Sequence, residues 1–196
     1  MTRLLGKTTG VKAAELGALE KLLRRRVPPG LFVSFELARE MCGLAEATGR
    51  SLGVTLDRRG RVRGVWVGDP GRVLPEGLEP ARTGPGRFSG LRFVSATPSR
   101  QGATHAEATE ALRLKIDAWV RVESSRGGPE QVWILVPDPR GVAAAGEEQR
   151  LAGVRTLGPL DPHALPDDFL ETIEALEEEL ERSLREGSPA GSPDRA

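Results

Sequence analysis

The stretch LRFVSATPSRQGATHAEA, which runs from Leu91 to Ala108, decides the fold. Leu91–Ser95 is a short apolar run of the kind that forms a buried strand. Apolar residues recur at helical spacing within His105–Lys115, and the polar residues between the two segments favour a turn. We therefore predict a strand, a turn and a helix in that order.

Alternating apolar residues on either side of this stretch predict two pairs of strands. Leu52–Leu56 and Val62–Val67 flank the turn-forming residues Asp57–Gly60, which is typical of a β-hairpin. Ala118–Glu123 and Gln131–Val136 form the second pair, again joined by a turn. A sheet built mainly from antiparallel strands follows from this arrangement.

Two helices are predicted in the first fifty residues. The first covers Val11–Arg26, with three arginines in its last turn and two prolines after it. The second is capped by Ser34 and ends at Gly49. Together with the strands, they predict an α/β fold of the α+β type, in which a mixed, mainly antiparallel sheet is flanked by helices.

A further helix near the end of the chain has one apolar stripe on an otherwise acidic surface. The stripe consists of Phe169, Ile173, Leu176, Leu180 and Leu184. Its glutamates lie largely off the stripe and are expected to face solvent. The stripe requires an apolar partner, which is either the body of this domain or a second helix further along a longer chain.

The composition divides the chain into four parts. Residues 1–137 form the α/β module, and residues 138–166, rich in Ala, Gly, Pro and charge, predict a flexible connection. Residues 167–187 form the acidic amphipathic helix, and residues 188–196 are a linker-like tail.

Charge is distributed unevenly, although the net charge is zero. Residues 1–100 contain 18 Lys and Arg against 9 Asp and Glu, whereas residues 101–196 contain 10 against 19. Basic residues are concentrated at the end of the first helix and in the hairpin, at Arg24, Arg25, Arg26, Arg58, Arg59, Arg61 and Arg63. They either contact RNA phosphates or act as solubilising surface charge.

Nucleophilic and metal chemistry have little support in the sequence. Cys42, the single cysteine, falls on the apolar side of the second helix, where a thiol usually only packs. His105 and His163 are too widely separated to predict a Cys–His pair or a zinc cluster. No apolar run reaches about 18 residues, so we expect a cytoplasmic chain without a membrane partner.

Five strings in order resemble the N-terminal extension of the HflX family of ribosome-associated GTPases. They are GKTTGVKAAELGALEKLLRRRVPP, SLGVTLDRRGRVRGVWVGD, GRFSGLRFV, EALRLKIDAWVRV and DFLETIEALEEELERS, and they extend from Gly6 to Ser183. The resemblance implies that a GTPase domain follows in the parent protein and that this domain, not the present chain, binds GTP and Mg²⁺. It also implies that the partner is RNA of the large ribosomal subunit.

That extension itself resembles the JAB/MPN fold, whose strand and helix carry the motif H-x-H-x7-S-x2-D. On this sequence the four motif positions hold Ser95, Thr97, His105 and Ala108. Both imidazoles and the carboxylate are therefore replaced. Because a catalytic zinc site needs three protein ligands and an open position, the resemblance implies a degenerate metal site with no bound metal and no catalytic residue.

These observations favour a non-catalytic, regulatory N-terminal module of an HflX-like GTP-binding protein, with no cofactor of its own. One alternative is a JAB-type metal-dependent hydrolase with an altered site around Ser95, Thr97 and His105. Another is a free-standing module that binds RNA or the ribosome. Zinc content distinguishes the hydrolase, and the salt dependence of ribosome binding tests the basic residues.

Overall fold

The structure is a computed structural model that describes residues 3–72, 89–98, 114, 116–138 and 154–187. The helices and strands that it describes are, in chain order, β1 (Arg3–Gly6), α1 (Ala13–Leu22), α2 (Phe35–Thr48), β2 (Leu52–Leu56), β3 (Val62–Val67), β4 (Arg92–Thr97), β5 (Ala118–Ser125), β6 (Gly128–Pro137), β7 (Val154–Leu160) and α3 (Phe169–Gly187).

The seven described strands form one sheet in the order β1-β3-β2-β4-β5-β6-β7. β1 pairs with β3, and β4 with β5, in parallel. The other four pairs are antiparallel and include the hairpins β2–β3 and β5–β6. This mixed, mainly antiparallel sheet with its helices confirms the predicted α+β class.

Helices α1 and α2 cover one face of the sheet. α2 starts where Ser34 Oγ accepts a hydrogen bond from the amide of Leu37, and it ends at Gly49, whose φ of 63° is left-handed. Both ends of this helix are therefore as predicted. Between the helices and the sheet lies an apolar core whose fully buried side chains include Leu19, Leu22, Met41, Val54, Val94, Val120 and Ile134.

The first helix is shorter than the predicted Val11–Arg26. α1 begins at Ala13, because Lys12 has the extended backbone of an N-cap residue, and it ends at Leu22. The next three amides donate to carbonyl oxygens only three residues earlier, which is the tighter turn that often closes a helix. The arginines that follow therefore lie in a turn and its exit, not in the helix.

The strands predicted near the centre of the sheet are confirmed. β2 and β3 form the hairpin, with a β-bulge between Thr55 and Leu56. β4 is buried along its whole length and extends to Thr97. β5 and β6 are longer than predicted, so the turn between them shrinks to residues 126–127. The predicted helix His105–Lys115 lies, apart from Leu114, outside the described residues.

Two edge strands are missing from the sequence prediction. β7 lies within residues 138–166, so the prediction of a flexible connection there is wrong for Val154–Leu160. Most residues of β7 are exposed, and it contains Gly158 and Pro159, so it lacks the apolar alternation that identifies a half-buried strand. β1 has only 4 residues and is too short to show a period.

The C-terminal amphipathic helix is confirmed as α3, and its partner is the body of the same domain. Phe169, Ile173 and Leu176 are buried in the same apolar core that α1 and α2 cover, and Leu180 packs against it. Leu184 is 56% exposed, so the apolar contact stops before the end of the helix. None of the described helices has the length and apolar character that crossing a membrane requires.

Arg92, the first residue of β4, is a fully buried cation that joins three segments. Its guanidinium donates to the carbonyl oxygens of Pro29 and Leu31, which precede α2, and to that of Asp57 in the hairpin turn, at 3.1 Å. The guanidinium carbon also lies 4.4 Å from the ring centroid of Phe169 on α3. Burial lowers the pKa of Arg92 to about 10, so the side chain is still charged at neutral pH.

Replacing Arg92 by alanine is expected to lower the free energy of unfolding by about 3–5 kcal/mol, because it leaves a cavity and removes the donor of three carbonyl oxygens. Urea unfolding followed by circular dichroism measures this change. Arg182→Ala, on the exposed surface of α3, is the matched control and should change the free energy by less than about 0.5 kcal/mol. Equal effects of the two substitutions would contradict the role given to Arg92.

Candidate nucleic-acid interface

The face of the sheet opposite α1 and α2 carries buried polar side chains. Two of them, Ser95 and Thr97, occupy positions of the metal-binding motif that the sequence resembles. Val94 and Ala96 belong to the helix-side core, so strand alternation places Ser95 and Thr97 on the other face, where both are fully buried. The parallel register puts Arg121, which is 1% exposed, opposite Ser95, and Glu123, which is 6% exposed, opposite Thr97. The polar row is the name used here for these four residues: Ser95, Thr97, Arg121 and Glu123.

Both hydroxyls of the polar row already accept hydrogen bonds. Trp119 Nε1 donates to Ser95 Oγ at 2.9 Å, and Arg121 Nη2 donates to Thr97 Oγ1 at 3.3 Å. Zinc prefers thiolate, imidazole and carboxylate ligands, and a guanidinium beside the site repels a divalent cation. Glu123 is the only member of the polar row with a side chain that zinc prefers, so these four residues do not supply the three protein ligands of a catalytic zinc site.

The other motif positions and the cysteine add no catalytic group to the described structure. His105 and Ala108 lie outside the described residues. Within the described part of the chain, no group of three or more His, Cys, Asp and Glu residues could hold a metal ion. Burial raises the pKa of the Cys42 thiol to about 12, so the thiolate that nucleophilic chemistry needs is scarce at neutral pH.

Four buried charged residues were missed by the sequence reasoning: Arg92, Asp117, Arg121 and Glu123. Asp117 Oδ2 accepts the backbone amides of Ser89 and Leu91 at 2.8 and 2.7 Å, and it thereby fixes the approach to β4. The alternation of charged and apolar residues along β5 could have identified Arg121, because alternate residues of a strand share one face. Arg92 and Asp117 have no comparable signal, since their partners are distant backbone groups.

The structure brings the two predicted basic segments together. The amide of Val27 donates to the carbonyl oxygen of Gly60 at 2.9 Å, and Arg26 and Arg61 face each other in an isolated antiparallel bridge. Gly60 has a φ of 72°, and a Cβ at this position would collide with the carbonyl oxygen of Val27, so the contact requires glycine. The exit of α1 and the hairpin turn therefore form one surface.

Of the seven arginines predicted to form a basic surface, some form ion pairs with acidic side chains and others do not. Three are ion-paired, and the N–O distances are 2.8 Å for Arg25–Glu40, 3.0 Å for Arg58–Glu174 and 4.0 Å for Arg63–Asp57. The other four have exposed side chains and no acidic partner among the described residues. We call these four the arginine cluster: Arg24, Arg26, Arg59 and Arg61.

Asp57 holds the turn that carries half of the arginine cluster. Its Oδ1 accepts the backbone amides of Arg59 and Arg61 at 2.9 and 3.0 Å. The amide of Asp57 donates to the carbonyl oxygen of Arg61 at 3.0 Å, and Arg92 donates to the carbonyl oxygen of Asp57 from the interior. The backbone beneath these two exposed guanidinium groups is therefore fixed by hydrogen bonds from both sides.

The described residues thus contain two candidate sites of different character, the buried polar row and the exposed arginine cluster. Comparison of the chain with protein-family models, with curated proteins and with solved structures finds no match in any of the three. Of the two sites, the arginine cluster presents charged groups to solvent, and it is therefore the candidate interface.

Replacing Thr97 by valine is expected to lower the free energy of unfolding by about 1–3 kcal/mol, because Arg121 Nη2 loses a buried acceptor while the side-chain volume is kept. Chemical unfolding and zinc analysis of the purified proteins measure the effect. Thr9→Val, in the exposed loop after β1, should change the free energy by less than about 0.5 kcal/mol. Stoichiometric zinc that is lost in Thr97→Val would contradict this interpretation and favour the hydrolase alternative.

Proposed function

We propose that this chain is a non-catalytic RNA-binding module of an HflX-like GTP-binding protein and that it contacts the large ribosomal subunit. The observation that carries the proposal is the arginine cluster, in which two basic segments distant in sequence meet. The resemblance in sequence supplies the partner and places GTP and Mg²⁺ in a GTPase domain outside these residues. In this proposal the chain acts in the cytoplasm as a regulatory module, without a cofactor of its own.

The arginine cluster has the physical properties of a phosphate-binding surface. Arg26 and Arg61 lie directly opposite each other, and like charges in that position destabilise a fold. Neither has an acidic partner among the described residues. A phosphate bound between them would remove the repulsion, because each planar guanidinium presents paired donors to anionic oxygens. The arrangement is thus unfavourable in the free protein and favourable in a complex with an anion.

The polar row supports the non-catalytic part of the proposal. Ser95 and Thr97 serve as acceptors for Trp119 and Arg121 inside the domain. A hydrolase that used them would have to break these buried hydrogen bonds, each worth about 1 kcal/mol or more. The hydroxyls therefore contribute to the packing of the sheet, whereas the exposed guanidinium groups of the arginine cluster are available for binding.

The chain of residues 1–196 should co-sediment with purified large ribosomal subunits at low salt and dissociate as salt is added. Four phosphate contacts predict that the affinity falls about 100-fold between roughly 50 and 200 mM salt, because bound counterions are released on binding. The bound fraction in the pellet, measured over a salt series, gives this dependence. An absence of binding, or binding that does not change with salt, would sink the proposal.

Matched pairs of substitutions localise the contact in the same assay. Arg24→Ala with Arg26→Ala, and Arg59→Ala with Arg61→Ala, should each reduce the slope of log affinity against log salt by about 2. Arg182→Ala with Arg185→Ala removes the same charge from the last turns of α3 and should leave the slope unchanged. A control pair that weakens binding as much as the cluster pairs would show that only net charge matters.

Arg61→Ala separates binding from stability. The thermal midpoint of this variant is expected to equal or exceed that of the unaltered protein, since the repulsion between Arg26 and Arg61 is removed, while its affinity for the ribosome falls. Differential scanning calorimetry measures the midpoint. Arg25→Ala breaks the ion pair with Glu40 and should instead destabilise the fold, by no more than about 1 kcal/mol. A large loss of stability in Arg61→Ala would mean that the arginine is structural.

A further inference from the structure

We infer that the arginine cluster binds double-helical RNA through its phosphate backbone and does not read the bases. The inference rests on the proposed function and names the form of RNA that this surface accepts. It follows from three features of the described residues: the lack of an exposed Phe or Trp side chain, the rigid backbone beneath the guanidinium groups, and the acidic surface of α3 beside the hairpin turn.

The described residues offer no exposed Phe or Trp side chain on which an unpaired base could stack. Their exposed large apolar side chains are Leu157 and Leu184, neither of which is aromatic. The half-buried aromatic side chains are Phe35, Trp66 and Trp133, and Trp66 Nε1 donates to Thr55 Oγ1. The exposed imidazole of His163 packs against Phe35, with 4.2 Å between the two ring centroids. Because single strands are held chiefly by stacking on aromatic side chains, this surface does not favour them.

The rigid backbone favours a ligand whose phosphates have fixed positions. The hairpin turn is held by Asp57, and its contact with the exit of α1 is held by the hydrogen bond between Val27 and Gly60. A duplex presents its phosphates in a regular array. Neither the protein nor the duplex therefore loses much conformational entropy on binding. A flexible single strand would lose conformational entropy on the same surface. Double-stranded RNA is also the form that proteins recognise mainly by shape and backbone.

Acidic side chains of α3 lie beside the hairpin part of the arginine cluster. Glu174 on α3 pairs with Arg58, the hairpin residue next to Arg59. Glu171, Glu177 and Glu178 are exposed on the same helix. Phosphates are repelled from this side, so the duplex is confined to the surface formed by the hairpin turn and the exit of α1.

Fluorescence anisotropy with labelled RNA tests the inference on the chain of residues 1–196. The probes are two blunt RNA duplexes of about 20 base pairs with different sequences, and oligouridine of the same length. Both duplexes should bind equally and at least about tenfold more tightly than oligouridine, with a log–log salt slope of about −3 to −4. Arg59→Ala with Arg61→Ala should reduce that slope by about 2, whereas Arg182→Ala with Arg185→Ala should not change it.

Equal or tighter binding of oligouridine, or a preference for one duplex sequence, would overturn the inference. Ribosome binding that depends on the arginine cluster without any preference for duplex would leave the proposed function in place and remove only this inference. Duplex binding by a chain that does not sediment with ribosomes would support this inference and contradict the proposed contact with the ribosome. Circular dichroism of each variant checks that the fold is kept, which is expected because the substituted side chains are exposed.

Discussion

The guanidinium of Arg92 connects parts of the molecule that are far apart in sequence. Removing such a cation from water costs several kcal/mol, and here the cost is offset by carbonyl oxygens from two loops and by the face of Phe169. One of those acceptors belongs to Asp57, whose carboxylate orders the outer side of the hairpin turn. The buried arginine thus determines where two exposed arginines, Arg59 and Arg61, are displayed.

Sequence patterns predict the elements that depend on local bonds. The helix α2 has its cap at Ser34 and its terminating glycine at Gly49, and the hairpin has turn-forming residues between two alternating runs. β1 and β7 escape prediction because an edge strand is defined by the neighbour with which it pairs, and its own residues need not alternate. An element is therefore predictable from the sequence when nearby residues stabilise it. It is not predictable when its hydrogen bonds go to a strand that is distant in sequence.

The same distinction applies to the candidate site. A run of arginines is visible in the sequence, so the members of the cluster are predictable one by one. Their meeting is not, because it depends on the contact between Val27 and Gly60 across the fold. The burial of Arg92 is also not visible in the sequence, since charged side chains usually lie at the surface. Arg121 adds a constraint of its own, because a slip of β5 by one residue would place its charge in the apolar core.

α3 has a mechanical consequence for whatever lies beyond it. It is anchored at its first residue, where the amide of Phe169 donates to the carbonyl oxygen of Gly30 at 2.8 Å, and ion pairs join it to Arg58 and, near the sheet edge, to Arg155 of β7. From Glu174 to Gly187 a helix rises about 20 Å. Because Phe169, Ile173 and Leu176 also fix α3 in the core, a segment that continues from Gly187 would be joined to the domain through a continuous helix and not through a flexible tether.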